Sequence, residues 1–407
     1  MPGPLAGIRV LDLTRVLAGP WAAQNLADLG AEVIKLERPK KGDDSRAFGP
    51  PWLKDANGRD TAESAYFACA NRAKKSITLD LAHAKGQAIA RELVAKSDVL
   101  LENFKFGDLE RYGLGYAQLK ATNPGLIYCS VTGFGHTGPW RERPGYDFMI
   151  QGMGGLMSIT GERDDRPGGG PQKAGIPIAD LITGMYASIA VCAALAHRAK
   201  TGKGQHLDLA LLDSLVAVLA NQGANYLATG EPPGRLGNDH PNIAPYQVFP
   251  TKDGSLILAC GNDNLFRKFC EVAGCGALPD DARFATNGKR VANRVELTRL
   301  LSKIFLERTT SDWIAALENA GVPCGPINDL AQVFAEPQAL ARGLRMELEH
   351  PTAGRVSLVR SPMRFSETPL EHNAPPPVLG QHTDEVLRGL LGKSEGEIAR
   401  LRSEGIV

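Results

Sequence analysis

Apolar positions in the first third of the chain alternate between two patterns, which predict strands and helices in turn. Short apolar runs typical of buried strands lie at residues 8–13, 31–37, 75–81, 99–103 and 126–131. Helical spacing starts at Pro20 and recurs over residues 84–95 between these runs. Strand, helix and strand at this spacing form a βαβ unit, whose two strands lie parallel. The pattern therefore predicts α/β architecture with a doubly wound parallel sheet.

The rest of the chain adds a second, smaller pattern. A long apolar helix starts at Asp180, and a strand at 205–211 precedes a helix over 213–227. Residues 230–245 are rich in Gly, Pro and Asn and mark a boundary. Later elements are a strand at 255–260, helices at 264–273, 291–306 and 311–321, a strand at 356–359, and helices at 384–391 and 395–403.

This order predicts a large α/β domain into which a smaller domain is inserted. We expect residues 1–200 to form the N-terminal part of the large domain, and residues 201–229 a linker. Residues 230–325 are expected to form a small α+β domain. Residues 326–407 are predicted to be a linker and the C-terminal part that completes the large domain. Residues 161–175, which contain three consecutive glycines, are predicted to be an exposed, mobile loop.

Composition narrows the class of protein. The 407 residues are 43% hydrophobic and 22% charged, a composition that predicts a soluble globular protein. The net charge of +1 predicts no overall electrostatic attraction to nucleic acid or to a membrane surface. The apolar stretch 181–195 is short for a membrane span and favours a buried helix. Seven scattered cysteines, with no zinc spacing and no signal peptide, predict reduced thiols, a cytoplasmic location and no metal site.

Asp180 is the candidate catalytic residue, because it stands alone at the head of the long apolar helix. Free backbone N–H groups and the positive end of the helix dipole are expected to hold its carboxylate ionised. An ionised aspartate beside an electrophile acts as a covalent nucleophile in several enzyme classes, although most aspartates at a helix start only cap it. Asp147 and Asp180 together form an alternative pair of bases for proton transfer.

Basic residues cluster near the predicted strand ends, where ligands of open α/β sheets bind. They are suited to phosphates, or else form a solvated rim; they are Arg15, Lys35, Arg38, Arg72, Lys74, Lys75, Lys105 and Arg111. The first strand–helix turn lacks the G-x-G-x-x-G fingerprint, so a dinucleotide site has little support. The serines lack a G-x-S-x-G context, which also disfavours a hydrolase triad.

Short motifs along nearly the whole chain have the number, order and spacing of one known family. They are Gly7–Thr14 (GIRVLDLT), Ala18–Pro20 (AGP), Asp28–Pro39 (DLGAEVIKLERP), Asn71–Arg72, Lys75–Asp80 (KSITLD), Glu102–Phe104 (ENF), Thr132–Gly135 (TGFG), Thr137–Pro139 (TGP), Thr201–Gln205 (TGKGQ), Gly321–Pro326 (GVPCGP) and Leu379–Leu387 (LGQHTDEVL). The chain thus resembles the class III CoA-transferases, the family of the formyl-CoA and carnitine CoA-transferases.

The resemblance implies a site and its ligand. Asp180 falls on the position of the family's nucleophilic aspartate. The family's CoA-contacting positions fall on Val16, Leu17, Arg38, Leu79, Asn103, Phe104, Arg111 and Tyr146. Of these, the two arginines would bind phosphates, and Leu79 and Phe104 would contact the adenine or pantetheine. CoA thioesters are then substrates, no cofactor is held permanently, and an interlocked homodimer is expected.

Two departures from the family pattern change the expectation. The glycine-rich flap loop of formyl-CoA transferase is reduced here to a short turn around Gly261, so residues 161–175 are the candidate to shield the intermediates. The related α-methylacyl-CoA racemases carry a histidine immediately before the acid at position 147, where this chain has Tyr146. A transferase is therefore favoured over a racemase that uses Asp147 and Asp180.

The segments 240–247 and 251–254 resemble those of transferases that use succinyl-CoA and dicarboxylates such as glutarate, hydroxymethylglutarate or itaconate. The implied reaction passes through an anhydride and a CoA thioester of Asp180. It conserves bond energy and needs neither ATP nor a metal. No cation for the second carboxylate of such a substrate is evident in the sequence.

Overall fold

A computed structural model describes residues 3–370 and 374–407. The chain divides into two compact units, each built from separate stretches. Unit 1 comprises Met1–Gly155, Ala174–Leu219 and Gln338–Val407, and unit 2 comprises Leu156–Lys173 and Ala220–Pro337. The glycine-rich segment 161–175 contains neither helix nor strand, in agreement with the predicted loop.

The described strands are β1 (Arg9–Asp12), β2 (Glu32–Glu37), β3 (Trp52–Lys54), β4 (Asp60–Ser64), β5 (Lys74–Thr78), β6 (Val99–Glu102), β7 (Ile127–Thr132), β8 (His206–Ala210), β9 (Tyr246–Pro250), β10 (Ser255–Ala259), β11 (Cys324–Pro326), β12 (Arg345–His350) and β13 (Gly354–Val359).

The described α-helices are α1 (Ala18–Asp28), α2 (Ala65–Cys69), α3 (Ala84–Ala95), α4 (Asp108–Arg111), α5 (Tyr116–Thr122), α6 (Asp147–Met153), α7 (Leu156–Ile159), α8 (Ile178–Thr201), α9 (Leu211–Ala217), α10 (Ala220–Thr229), α11 (Asp263–Val272), α12 (Asn287–Ala292), α13 (Arg294–Phe305), α14 (Thr310–Asn319), α15 (Leu330–Ala335), α16 (Pro337–Ala341), α17 (Thr383–Leu391) and α18 (Glu395–Ser403).

A six-stranded parallel sheet organises unit 1, which confirms the predicted α/β class. Its strand order is β5-β2-β1-β6-β7-β8, and every neighbouring pair is parallel. Counted along the chain, this is the order 3-2-1-4-5-6 of a doubly wound sheet. The connections reverse direction between β1 and β6, so a crevice opens beyond the carboxyl ends of these two strands. Ligands of open α/β sheets bind at that position.

Helix α8 packs along α1 and carries the candidate nucleophile. The two helices approach closely at Gly184, where an added Cβ would lie 2.6 Å from the carbonyl oxygen of Ala18. A larger residue at position 184 would therefore push α8 away from α1. This contact fixes the start of α8 near the loop that follows β1.

Unit 2 contains an antiparallel sheet of order β11-β10-β9 with helices packed around it. Its core is aromatic: the Phe249 and Phe305 rings stack with centroids 4.7 Å apart, and the Trp313 ring lies 4.8 Å from Phe305. The Trp313 indole N–H donates to the Phe305 carbonyl at 2.9 Å, so this polar group keeps a hydrogen-bond partner although the ring is buried. Two further antiparallel pairs, β3 with β4 and β12 with β13, belong to unit 1.

Two helices differ from their predictions. The single helix predicted over 213–227 is broken between α9 and α10, where Ala220 adopts a left-handed φ of 47°. Helix α8 runs from Ile178 to Thr201, whereas the sequence placed its start at Asp180 and gave 181–195 as its most apolar stretch. Within the described residues it is the one helix long and apolar enough to cross a membrane, although 44% of its most apolar 18 residues are buried inside the protein. Such a helix is also typical of a protein core.

Candidate functional site

Two cavities lie at the carboxyl ends of the parallel strands of unit 1. The first, of about 170 Å³, is lined by residues that include Leu36, Arg38, Leu79 and Tyr112. The second, of about 360 Å³, is lined by the loop after β1, the turn after β6, the end of β7, residues 141–146 and Asp180. Arg15 and Phe104 line both cavities, so the two are neighbours. Their position beside β1 and β6 is the one that the strand order predicts for a ligand.

The loop between β1 and α1 is held in a strained conformation at this point. Val16 has a φ of 72°, a left-handed value that a β-branched residue rarely adopts and that costs about 1–3 kcal/mol. Its N–H donates to Asp43 at 3.0 Å, while Asn103 accepts from the Arg15 N–H at 3.0 Å and donates to the Arg15 carbonyl at 2.8 Å. The two bonds to Asn103 fix the loop against the turn after β6, and the bond to Asp43 fixes it against the segment after β2.

The turn after β6 is held in place by the buried carboxylate of Glu102. This carboxylate accepts a hydrogen bond from the Phe104 N–H at 2.8 Å. Burial raises the pKa of Glu102 to about 7, more than its bonds to Ser130 and Phe104 lower it. Because Phe104 lines both cavities, this hydrogen bond positions a side chain that the resemblance assigns to CoA binding.

A buried network of ion pairs lies below this loop. It removes two of the clustered basic residues from the candidates for phosphate binding. The Lys74 ammonium donates to Asp12 at 2.9 Å and to Asn71 at 2.8 Å, and the Lys35 ammonium lies 2.8 Å from Asp43. The ion-paired side chains of Lys35, Asp43, Lys74 and Asp12 are fully buried. These two lysines therefore support the loop from inside and do not face a ligand.

Other members of the basic cluster are also committed to ion pairs. Arg72 is buried against Asp28, and Lys75 pairs with Glu32 and Glu385. Arg15 and Arg38 share the carboxylate of Asp44. Both side chains are partly exposed and line the first cavity. The Arg15 Nε is buried, and within the described chain it has no hydrogen-bond partner.

Asp180 is the third residue of α8 and lines the second cavity. The expectation that free N–H groups of the helix start surround its carboxylate is wrong. The N–H groups of Ala179 and Asp180 donate to the Asp147 Oδ1 at 2.8 and 3.3 Å. Those of Ile178 and Leu181 donate to backbone carbonyls at 2.8 and 3.1 Å. The helix start is therefore capped by a side chain 33 residues earlier in the chain, and its donors are already occupied.

The electrostatics of Asp180 also differ from the expectation. Burial, followed by the negative charge of Asp147, raises the pKa of Asp180 to about 7. The site does not hold this carboxylate ionised by a helix dipole, as the sequence suggested; it destabilises the anion. A carboxylate with a raised pKa is more basic, and a more basic anion is a stronger nucleophile once it is deprotonated.

Both oxygens of Asp147 are engaged in hydrogen bonds, which bears on the proton-transfer alternative. Oδ1 caps α8, and Oδ2 accepts from the Gln151 amide at 2.6 Å. Gln151 in turn accepts from the Ala174 N–H at 2.8 Å. A base must offer a lone pair to the carbon acid, and these contacts use Asp147 as a structural cap. The arrangement does not favour a racemase that uses Asp147 and Asp180.

The structure brings most of the residues suggested by the resemblance to the two cavities. Arg38, Leu79 and Phe104 line the first; Val16, Leu17, Asn103, Phe104, Tyr146 and Asp180 line the second. Arg111 lines neither, and its exposed side chain pairs with Asp108, which lines the second cavity. Gly261 follows β10 in unit 2. In residues 3–370 and 374–407, no group of three His, Cys, Asp or Glu side chains is arranged to hold a metal ion.

Sequence reasoning missed several residues that line the second cavity. Thr132 and Gly133 come from the end of β7, and Arg141 and Arg143 from the segment that leads into α6. The motif at 132–135 was noticed only as a mark of resemblance. The two arginines follow no strand, so the rule about strand ends gave no signal for them.

Comparison with known proteins identifies the family of this chain. The sequence profile of CoA-transferase family III matches residues 5–383. The chain is 52% identical to succinate–glutarate CoA-transferase of Agrobacterium fabrum, over 95% of this chain and 96% of that protein. It is 45% identical to succinyl-CoA:glutarate CoA-transferase of Mus musculus, over 99% of this chain and 90% of that one.

A solved structure has the same fold. The CAIB/BAIF family protein from Brucella suis matches with a TM-score of 0.83 and 51% identity, and the match covers 96% of this chain and 100% of that chain. The match to the family profile spans most of the chain, and the two relatives are similar over 96% and 90% of their own length. The chain therefore belongs to CoA-transferase family III and is a CoA-transferase.

Proposed function

We propose that this enzyme transfers CoA from succinyl-CoA to a dicarboxylate such as glutarate, with Asp180 as the nucleophile. The observation that carries the proposal is the position of Asp180, which lines a cavity next to a second one at the switch point of the sheet. The substrate class is supported by the names of the relatives, which at 52% and 45% identity are succinate– or succinyl-CoA:glutarate CoA-transferases. Hydroxymethylglutarate and itaconate are further candidate acceptors.

CoA would extend from the first cavity to the second. Leu79 and Phe104 offer apolar surface to the adenine or pantetheine, and Arg38 and Arg15 offer cations to the phosphates. Both arginines now share Asp44, so a phosphate would compete with this carboxylate for them. The amino end of α1, at Val16 and Leu17, lines the second cavity, and a helix N-terminus favours an anion. Arg111 and Gly261 remain proposals without a place in either cavity.

The first half of the reaction would release the donor acid. A carboxylate oxygen of Asp180 attacks the thioester carbon of succinyl-CoA, the C–S bond breaks, and an anhydride and the CoA thiolate result. The thiolate then attacks Cγ of Asp180, breaks the C–O bond of the anhydride and releases succinate. CoA is now held as a thioester of Asp180, and one thioester has replaced another.

The second half would repeat these steps in reverse order. The acceptor carboxylate attacks Cγ of the aspartyl thioester and expels the thiolate, which gives a new anhydride. The thiolate attacks the acyl carbon of the acceptor, forms the product thioester and frees the carboxylate of Asp180. Water must stay out, because both the anhydride and the thioester hydrolyse.

We infer that the protein acts as a homodimer. Helix α8 exposes large apolar side chains, namely Met185, Tyr186 and Ile189, the last with 63% of its surface accessible. Phe148 on α6 is 58% exposed as well. Exposed apolar side chains on two neighbouring helices favour burial in a subunit interface. That the two chains interlock, and that the enzyme is cytoplasmic, are predictions from the sequence.

The test is to incubate the protein with succinyl-CoA and a mixture of carboxylic acids and to identify the CoA esters by mass spectrometry. We expect glutaryl-CoA, or another dicarboxylyl-CoA, to appear as succinyl-CoA disappears in equal amount. Transfer to monocarboxylates alone would contradict the proposed substrate class. Exchange of deuterium into a 2-methylacyl-CoA, without transfer, would instead support the racemase.

Asp147→Asn tests the electrostatic role of the cap. The amide oxygen still accepts from the N–H groups of α8, while the negative charge beside Asp180 disappears. The pKa of Asp180, which Asp147 helps to raise to about 7, should fall. Because the proposed reaction requires ionised Asp180, kcat/KM of the wild type should rise as pH rises through this pKa. In the Asp147→Asn variant the same rise should occur at lower pH. We expect kcat at pH 8 to fall no more than about tenfold, the cost of about one weakened hydrogen bond.

The control for this prediction is Asp147→Ala, which removes the charge and the cap together and should also lower stability by about 1 kcal/mol. An Asp147→Asn enzyme whose pH profile overlies that of the wild type would show that Asp147 does not set the ionisation of Asp180.

A further inference from the structure

Arg143 is exposed at the second cavity and differs from the other arginines there in its partners. Arg15 pairs with Asp44 at 3.0 Å, and Arg141 lies 3.6 Å from Glu142. No carboxylate or carbonyl of the described residues accepts a hydrogen bond from the Arg143 guanidinium, or lies within ion-pair distance of it. A guanidinium that lines the same cavity as the proposed nucleophile, without a carboxylate partner among the described residues, has the charge to bind an anionic ligand.

Aromatic rings hold the Arg143 side chain. Its guanidinium carbon lies 5.3 Å from the centroid of the Trp140 ring and 5.6 Å from that of Phe134. The two rings meet edge to face at 5.3 Å, so they form one surface. Aromatic rings attract the face of a guanidinium and leave the N–H groups at its edge for a planar acceptor. A carboxylate matches this fork with two parallel hydrogen bonds.

The backbone around Arg143 is fixed as well. The Arg143 N–H donates to the Trp140 carbonyl at 2.8 Å. Two residues later, Gly145 packs directly on Gly133 at the end of β7, where an added Cβ would lie 2.4 Å from the Gly133 Cα. Asp147, the cap of the helix that carries Asp180, follows after one more residue. The segment from Arg143 to Asp147 is therefore held by backbone contacts near Arg143 and by the Asp147 cap at its other end.

The two cavities are lined by different sets of cationic side chains. Arg15 and Phe104 are shared with the first cavity, the proposed place of the CoA nucleotide, whereas Arg143 lines only the second, together with Asp180. Lys105 also lines the second cavity, but it lies beside Phe104 in the turn after β6. Arg143 is thus a cation that lines the cavity of Asp180 and not the proposed nucleotide cavity, and unlike Arg141 it has no carboxylate within ion-pair distance among the described residues.

We propose that Arg143 binds the distal carboxylate of the dicarboxylic acyl group and so selects dicarboxylates over monocarboxylates. This inference rests on the proposed function. Donor and acceptor acids occupy the same space in turn, since each forms an anhydride with the same carboxylate. Arg143 therefore serves the succinyl group in one half of the reaction and the acceptor acid in the other.

The experiment measures binding, which does not depend on turnover. In the Asp180→Asn background, the affinities for succinyl-CoA and for butyryl-CoA are determined by calorimetry with and without Arg143→Gln. The two esters have acyl chains of equal length and differ in the distal carboxylate. We expect Arg143→Gln to weaken succinyl-CoA binding at least about tenfold and to change butyryl-CoA binding less than about twofold. Arg143→Lys, which keeps the charge without the fork, should restore part of the loss.

Arg355→Gln is the matched control, because it removes a mostly exposed arginine from β13, whose partners are Glu347 and Glu349. It should leave both affinities unchanged. An equal loss for both esters would show that Arg143 only shapes the cavity, and no loss for either would remove it from the site; each result overturns the inference. Equal affinity for both esters in the Asp180→Asn protein that keeps Arg143 would overturn it too. The proposed function is judged separately, by formation of dicarboxylyl-CoA in the wild-type enzyme.

Discussion

Replacing Asp180 with alanine is expected to reduce CoA transfer by about 10³-fold or more, because every proposed step forms or breaks a bond to its carboxylate. No other carboxylate takes over: Asp147 is the nearby acid, and both its oxygens accept hydrogen bonds. The measurement is the initial rate of dicarboxylyl-CoA formation. Affinity for free CoA should change little, because the proposed CoA contacts lie in the loop after β1, the turn after β6 and the first cavity.

A covalent trap makes the assignment direct. Wild-type enzyme mixed with succinyl-CoA, quenched in acid and digested, should yield a peptide that contains Asp180 with CoA attached. Asp180→Asn, the isosteric control, should yield none. Residual transfer within tenfold of the wild type, or a CoA adduct on another residue, would refute the nucleophile assignment and with it the proposed mechanism.

Asp12→Asn is expected to destabilise unit 1 by about 3–5 kcal/mol, because it leaves the Lys74 ammonium as an uncompensated buried charge. In the wild-type protein burial outweighs the attraction of Asp12 and lowers the pKa of Lys74 to about 8, so Lys74 is still ionised at neutral pH. Although burial opposes ionisation, Lys74 and Lys35 lower the pKa of Asp12 below its usual value. The measurement is the denaturant midpoint of the transition of unit 1, compared with the wild type at neutral pH.

A double variant separates the charge from the packing. Asp12→Asn combined with Lys74→Met removes both members of the pair and should recover a substantial part of the loss, since an apolar side chain of similar size replaces the ammonium. A single variant that loses less than about 1 kcal/mol would show that Asn71 and the Pro20 carbonyl, which already accept hydrogen bonds from Lys74, are enough to compensate its charge. The network would then not support the loop.

The parallel sheet could be predicted because its strands are short apolar runs separated by helices, a pattern that needs no tertiary information. The charges within the strands were misread for a physical reason. Lys35 and Lys74 lie in or at the ends of strands, where solvated or ligand-binding cations are common, and only the register that places Asp12 and Asp43 beside them shows that they are buried. Sequence alone gives no distance between such partners.

The candidate site was predicted in part. Asp180 was singled out by its place at a helix start and by family resemblance, and the candidate CoA-contacting residues came from the resemblance; the cavities contain most of them. The state of Asp180 was mispredicted because its cap, Asp147, belongs to another helix 33 residues away. Arg143 was missed because two features distinguish it: it has no hydrogen-bonded or ion-paired carboxylate among the described residues, and its guanidinium contacts two rings. Neither feature leaves a periodic signal in the sequence.

The occupied start of α8 has a consequence for the rate of the reaction. Asp147 already compensates the positive end of this helix, so the dipole is not available to trap whichever anion forms next to Asp180. Each proposed step exchanges one anion for another, a carboxylate for a thiolate or the reverse, at constant total charge. A site that favoured one of these anions strongly would slow the reaction at that stage. An evenly balanced site lets no intermediate accumulate, so CoA can move quickly in whichever direction the concentrations of the acids and their thioesters require.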